Sequence, residues 1–173
     1  MLTKRIETEL NKQINAEMFS SYLYLSMAAH FESQSLKGFA NWMRIQAKEE
    51  NAHAMKFYNY VCERGGKVTL NTIDAPKTNW NSILEVFEEV VTHEYKISSL
   101  INNLVNVAAE EKDHSTNNML QWFVAEQVEE EANAEELVAQ IKLIGDNGYG
   151  ILMLDRELAT RVFVDPLANP QQA

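Results

Sequence analysis

Cysteine, glycine and proline are scarce in this sequence, and each shortage excludes a class of structure. The single cysteine, Cys62, cannot form a disulfide within one chain. It also excludes the zinc and iron–sulfur sites that several cysteines of one chain would build. Only 6 glycines and 3 prolines interrupt the 173 residues, which favours long helices.

Long apolar runs are also missing. No stretch approaches the roughly 18 apolar residues of a membrane-spanning helix. The first residues, MLTKRIETEL, lack the apolar core of a signal peptide. We therefore expect a cytoplasmic protein that has no membrane as a partner.

Positive charge is in short supply as well. Lysine and arginine number 15 against 25 aspartates and glutamates, so the formal net charge is -10. Such a surface repels nucleic acid and attracts cations, and we expect no nucleic-acid partner. Hydrophobic residues make up 46% of the chain, which is typical of a folded protein. We expect residues 1–173 to form a single domain that buries roughly 70% of its unfolded surface.

Apolar periodicity predicts four long helices, at about 3–32, 36–64, 82–112 and 115–144. Ser82 and Glu85 form a capping-box pattern at the start of the third, and glycines follow the second and fourth. The fold predicted is an all-α four-helix bundle over about 3–145, with a short fifth helix at about 148–161 and a loose tail over 165–173. Short connections make two antiparallel hairpins. The 65–81 link could reach roughly 55 Å when extended, which is enough to cross the bundle and let helices two and three run parallel.

Polar residues interrupt the apolar stripe of every long helix near its middle. They are Glu17 on the first helix, Gln46, Glu50 and His53 on the second, Glu94 on the third, and Gln127 and Glu130 on the fourth. The middles of packed helices share one level of a bundle, so these side chains should converge. Glu17 and Glu50 have the same 33-residue separation as Glu94 and Gln127, and each pair is followed three positions later by His53 or Glu130. Side chains three apart on a helix lie on one side.

Four carboxylates at one buried level would repel one another or take up protons. The polar residues could instead hydrogen-bond among themselves, or the stripe could be misplaced by one residue. Four negative charges, however, balance two divalent cations. Oxygen-rich ligation with one nitrogen, from His53, suits a hard or borderline metal such as iron better than structural zinc. The pattern therefore favours a two-ion metal centre, with Glu50 placed to bridge the ions.

Three segments carry a resemblance to a known family: LNKQINAEMFSSYLYLSMAAHF, GFANWMRIQAKEENAHAMKFYNYVCERGG and MLQWFVAEQVEEEA. Along essentially its whole length the chain is similar to the non-haem ferritins of bacteria and archaea. The Gln127-x-x-Glu130 pattern replaces a second Glu-x-x-His, as in ferritins and unlike bacterioferritins and di-iron oxygenases. The resemblance implies a ferroxidase that oxidises Fe(II) with dioxygen or hydrogen peroxide. It also implies storage of the ferric mineral inside a homo-oligomeric shell of twenty-four chains.

The resemblance also implies a role for each site residue. The first iron would bind Glu17, Glu50 and His53. The second would bind Glu50, Glu94 and Glu130, with Gln127 close by. Tyr24 would lie beside the site, although plain core packing would equally explain it. A third iron would bind Glu49, Glu126 and Glu129 with Glu130 shared, unless these acidic residues are only a solvated face.

Other classes remain as alternatives. They are a haem-containing bacterioferritin, a di-iron oxygenase or peroxidase, and a DNA-protecting mini-ferritin. Bacterioferritins ligate haem with a Met directly after the glutamate of the second helix, where this chain has Asn51, so we expect no haem. The negative charge and the length of the bundle speak against a mini-ferritin.

The remaining histidines and tryptophans have no ligand spacing. His30, His93 and His114 are expected at the surface or its boundary, and Trp42, Trp80 and Trp122 in packing. The apolar face of the fifth helix, with Ile151, Leu154 and Leu158, is expected to contact another copy near a four-fold axis.

Overall fold

The computed structural model describes residues 1–168, and its regular elements there are five α-helices. They are α1 (Lys4–Ser33), α2 (Lys37–Glu63), α3 (Ile83–Glu110), α4 (His114–Ile144) and α5 (Gly148–Leu158). The four long helices begin and end within two residues of the predicted bounds, and α5 ends three residues before its predicted end. Of the tail predicted to be loose, 169–173 lies outside the described residues. In the described part of the chain, no helix is both long and apolar enough to cross a membrane.

Side-chain caps fix where four of the five helices begin, and α5 is capped by Asn147. Thr3 accepts a hydrogen bond from the backbone of Ile6, Ser82 from that of Glu85, and Asp113 from that of Thr116. These acceptors satisfy backbone N–H groups that have no partner within a helix. The Glu85 carboxylate accepts from the Asn81 backbone N–H at 2.8 Å, one residue earlier than a capping box predicts. Gly145 directly follows α4 and caps its end, and the positive φ of 56° at this residue favours glycine.

Two apolar clusters show the directions of the helices. One cluster joins the end of α1, the start of α2, the start of α3 and the end of α4, and includes Phe31, Phe39, Phe87 and Leu137. The other joins the opposite ends of the same helices and includes Leu10, Phe57, Ile101 and Phe123. α1 and α2 are therefore antiparallel, as are α3 and α4, whereas α2 and α3 run in the same direction. This confirms the bundle with a long crossover.

The crossover runs along α1 and is fixed there by side-chain hydrogen bonds. Asn11 donates to the Lys67 carbonyl at 3.0 Å and accepts from the Thr69 N–H at 2.6 Å. Further along α1, Ser26 donates to the Lys77 carbonyl at 2.6 Å. The link therefore passes from one end of the bundle to the other.

α5 packs on the start of α2. The Asp155 carboxylate accepts from the backbone N–H groups of Gly38 at 2.7 Å and Phe39 at 3.1 Å. These groups lie at a helix N-terminus that has no side-chain cap of its own, where an anion is favoured. A Cβ at Gly38 would lie 1.5 Å from the Asp155 carbonyl oxygen, so the close approach requires glycine.

The apolar face of α5 is used within its own chain. Leu154 and Leu158 are buried in the first cluster, and Ile151 packs against it. The expectation that this face needs another copy to cover it was therefore wrong. The apolar residues that α5 leaves exposed are Tyr149, Leu152 and Met153.

Candidate metal centre

A layer of buried polar side chains separates the two apolar clusters. Its members are the residues that interrupt the four stripes: Glu17, Gln46, Glu50, His53, Glu94, Gln127 and Glu130, all less than one-tenth exposed. Every predicted residue of the two-ion centre is therefore buried at this level. The stripes were read in the correct register, which removes one of the alternatives.

Glu17, Glu50 and His53 form the closest group in this layer. One ligand atom from each lies within 4.8 Å of the others, and residues 1–168 contain no other such group. The His53 Nδ1 lies 3.6 Å from a Glu50 carboxylate oxygen. Trp122 and Phe123 contact the His53 ring through edge packing, with centroids at 5.5 and 5.9 Å. These contacts hold the imidazole in place beside the two carboxylates.

One oxygen of Glu17 has no hydrogen-bond partner. Gln13 donates to the Oε1 of Glu17 at 2.8 Å. The Oε2 is buried and unpartnered among residues 1–168. A buried acceptor left without a partner destabilises the fold by about 1–3 kcal/mol. A cation bound at this group would supply the missing partner.

Glu94 and Glu130 also neighbour Glu50, and an amide group donates to each of the two carboxylates. Tyr24 donates its hydroxyl to Glu94, and the Gln127 Nε2 donates to the other Glu94 oxygen at 3.2 Å. The Gln46 Nε2 donates to Glu130 at 2.8 Å. Hydrogen bonding among the polar residues therefore accounts for these two carboxylates, but it leaves the Glu17 Oε2 unexplained.

Burial and mutual repulsion change the acidity of these groups. Burial, reinforced by the charge of Glu50, raises the pKa of Glu17 to about 8. Burial and the charge of Glu130 raise the pKa of Glu94 to about 7. Burial and the charges of Glu94 and Glu130 hold the pKa of Glu50 well above its ordinary value. Without cations, the layer therefore retains protons at neutral pH, and divalent cations would compete with those protons.

The three residues predicted for a third ion are more accessible. Glu49 and Glu126 are half-buried and Glu129 is exposed. Burial raises the pKa of Glu126, and the neighbouring carboxylates of Glu129 and Glu130 raise it further. Glu49 already has a cationic partner, since the Arg161 Nη2 donates to its Oε2 at 2.8 Å.

Sequence reasoning missed several neighbours of the layer. Arg161 lies 112 residues from Glu49, beyond the end of α5, and no spacing rule relates two such positions. His93 was expected at the surface or its boundary, but it is buried, with its Nε2 2.8 Å from the Ser20 hydroxyl. Burial lowers the pKa of His93 to about 4, so its ring is neutral.

The other expectations for aromatic and histidine residues are met. Trp42 and Trp80 are buried in the first cluster, and Trp122 packs against the second. His30 lies at the boundary against Trp80, with ring centroids 5.1 Å apart, and His114 is exposed.

Comparison with known proteins agrees with this arrangement. A family model described as Ferritin-like domain matches residues 7–144. The chain is 45% identical over 161 residues to the bacterial non-heme ferritin of Bacteroides fragilis, which covers 93% of this chain and 100% of that protein. The bacterial non-heme ferritin of Staphylococcus aureus is 39% identical over 163 residues, which cover 94% of this chain and 98% of that protein.

Solved structures show the same fold. The open-pore ferritin of the hyperthermophilic archaeon Archaeoglobus fulgidus superposes with a TM-score of 0.93 at 49% identity, over 94% of this chain and 100% of that chain. An engineered closed form of that ferritin superposes with a TM-score of 0.94, also at 49% identity, over 95% of this chain and 100% of that chain. The helices, the buried layer of carboxylates and these likenesses in sequence and structure agree, and the chain belongs to the ferritin family.

Proposed function

We propose that this protein oxidises Fe(II) at a two-ion centre within each chain and stores the Fe(III) as a mineral inside a hollow homo-oligomer. The observation that carries the proposal is the layer of four buried carboxylates, whose raised pKa values retain protons and whose Glu17 Oε2 has no partner in the described part of the chain. An apolar core would be more stable at that level, so the layer is best explained by its cations. The relatives named bacterial non-heme ferritin support iron as the metal.

Iron is the substrate, and the chain supplies ligands and charge balance. Glu17, Glu50 and His53 would bind one Fe(II). Glu50, Glu94 and Glu130 would bind the other, with Gln127 alongside. Four carboxylates neutralise two divalent ions, so binding displaces the protons that the layer holds.

The electron balance requires two iron ions at each centre. Each Fe(II) gives up one electron. Two of them reduce dioxygen to hydrogen peroxide with uptake of two protons, or reduce hydrogen peroxide to two waters with uptake of two protons. The two-ion centre thus matches a two-electron oxidant without releasing a radical.

Tyr24 acts in this proposal by positioning. Its buried hydroxyl donates to Glu94, and burial together with the charge of Glu94 keeps its pKa well above 10.0. The phenol therefore stays protonated and fixes the orientation of a ligand. Its ring packs edge-on to Trp42 at 6.3 Å, which holds it in place.

Storage requires an assembly, because the interior of one packed bundle has no room for a mineral. We propose the shell of twenty-four chains that the family resemblance implies. Exposed apolar side chains offer surfaces for contacts between copies, on the crossover at Leu70 and Ile73 and on α5 at Leu152 and Met153.

A third cation at Glu49, Glu126 and Glu129 would lie beside the two-ion centre, on its more accessible side.

The position at which bacterioferritins place their haem-binding methionine lies in a surface groove of this protein. Asn51 takes the place of the bacterioferritin methionine, and it is exposed in a groove of about 570 Å³ between the hairpin and the segment after α5. Asn is a poor ligand for haem iron, which favours a protein without haem. Met55 lines the same groove, so the absorption spectrum of the purified protein is part of the test below.

Replacing a ligand of the first ion should slow iron oxidation. We expect Glu17→Gln and His53→Ala each to slow the first oxidation at two Fe(II) per chain by at least tenfold, since even outer partners of metal ligands are worth roughly 10–100-fold. Stopped-flow absorbance measures this rate. Glu63→Gln, an exposed position on the same helix as His53, is the control and should leave it unchanged. Wild-type rates in both ligand variants would refute the assignment.

Cation binding should release protons, and fewer as the pH rises. At about pH 6.5 the Glu17 carboxyl, with its pKa near 8, is mostly protonated, whereas at about pH 8.5 it is mostly ionised. We expect anaerobic Zn²⁺ binding to displace more protons at the lower pH and to be weaker there. Calorimetry in buffers of different ionisation enthalpy counts those protons. At about pH 6.5 Glu17→Gln should release about one proton fewer per chain than wild type, and at about pH 8.5 the difference should be small. Equal release by the two proteins at both pH values would contradict the raised pKa.

The assembled protein should accumulate iron far beyond its binding sites. We expect a particle of roughly twenty-four chain masses, with no Soret band, that takes up many more than three irons per chain under air. Sedimentation velocity and iron analysis before and after loading test this. A monomer or dimer that stops at two irons per chain would favour a di-iron oxygenase or peroxidase. A Soret band at one haem per two chains would instead indicate a bacterioferritin.

A further inference from the structure

Arg161 reaches the metal centre because the segment after α5 is held on α2. Asp155 binds the first backbone N–H groups of α2, as described above. One turn further along α2, the Asn41 side chain donates to the carbonyls of Leu158 at 3.1 Å and of Arg161 at 3.0 Å. These bonds fix the backbone of Arg161 against α2 and direct its side chain along that helix.

The Arg161 guanidinium contacts two polar side chains next to the centre. Its Nη2 donates to the Glu49 Oε2 at 2.8 Å, and its Nη1 donates to the Gln46 Oε1. The guanidinium lies over the Trp42 ring at 5.1 Å from the centroid. With its oxygen bound to Arg161, Gln46 presents its amide nitrogen to Glu130 at 2.8 Å. One arginine therefore binds Glu49 directly and reaches Glu130 through an amide.

Glu49 and Glu130 are two of the four carboxylates predicted to bind a third cation. Glu49 is a ligand of that ion alone, and Glu130 is shared with the second ion of the proposed centre. The Arg161 and Glu49 side chains are only 26% and 17% exposed, so water screens their interaction less than on an open surface. Arginine does not lose its proton in proteins, so its charge is always present. A third cation must therefore displace the guanidinium or bind close to it against repulsion.

We propose that Arg161 is a built-in competitor of the third cation for Glu49, and that it keeps this position weaker than the two-ion centre. The inference rests on the proposed function. When the third position is empty, the Arg161 guanidinium stays bound to Glu49 and holds Gln46 toward Glu130. An ion that is bound weakly there can leave for the mineral, whereas one held as tightly as the first two would stay.

Anaerobic titration of the assembled apoprotein with Zn²⁺ tests this by calorimetry. We expect two tight sites and one weaker site per chain in the wild type. Arg161→Gln should tighten the third step about tenfold, which is the effect of roughly 1.4 kcal/mol. Arg161→Lys keeps the charge but loses the planar fork that binds Glu49 and Gln46 together, so its third step should fall between those of wild type and Arg161→Gln. Arg156→Gln, the same change at an exposed position of α5, is the matched control and should change nothing.

Two further variants separate competition from a structural role. Glu49→Gln should lose the third step, and adding Arg161→Gln to it should restore nothing, because the two residues act on the same carboxylate. Arg161→Met, which keeps a side chain over Trp42, replaces Arg161→Gln if the latter fails to assemble. An unchanged or weaker third step in the assembled arginine variant would overturn the inference while leaving the two tight sites, and the proposed function, intact. If the wild type itself showed no tight Zn²⁺ sites in this titration, the proposed function would be refuted.

Discussion

Mutual repulsion among four buried carboxylates governs how this bundle behaves with and without cations. Glu17, Glu50, Glu94 and Glu130 share one level of the bundle and are nearly inaccessible to water. Without cations, they avoid ionisation by retaining protons, which their raised pKa values reflect. Two divalent cations would turn the same repulsion into attraction, because each carboxylate would then face positive charge. The layer therefore makes the protein less stable when empty and selective for cations.

The apolar clusters on either side hold this layer in place. Each cluster joins all four long helices, so a ligand on one helix cannot move without disturbing packing on the others. The crossover makes α2 and α3 parallel, and the two hairpins then present their matched polar positions to each other. α5 adds to the same end of the bundle, where Asp155 supplies the cap that α2 lacks. Fold and site are thus coupled through helix positions and not through loops.

The sequence predicted the helices and the buried layer because both follow from periodicity. Interruptions of an apolar stripe by Glu17, Glu50 and Glu94 are visible in one dimension, and the bundle brings helix middles together whatever the connections are. Arg161 could not be found in this way. Its contact with Glu49 depends on how α5 docks on α2, which is a tertiary event that Asp155 and Gly38 determine. His93 was misplaced because its burial depends on the crossover and α1 covering that side of α3, and periodicity carries no information about a covering loop.

The position of bound iron decides whether the buried carboxylates form a two-ion centre. Crystals of the apoprotein soaked with Fe(II) without oxygen would show each ion by anomalous scattering at the iron edge. We expect two strong peaks in the buried layer, one among Glu17, Glu50 and His53 and the other among Glu50, Glu94 and Glu130, with Glu50 between them. Peaks confined to exposed carboxylates, with the buried layer empty and its hydrogen bonds unchanged, would contradict this expectation.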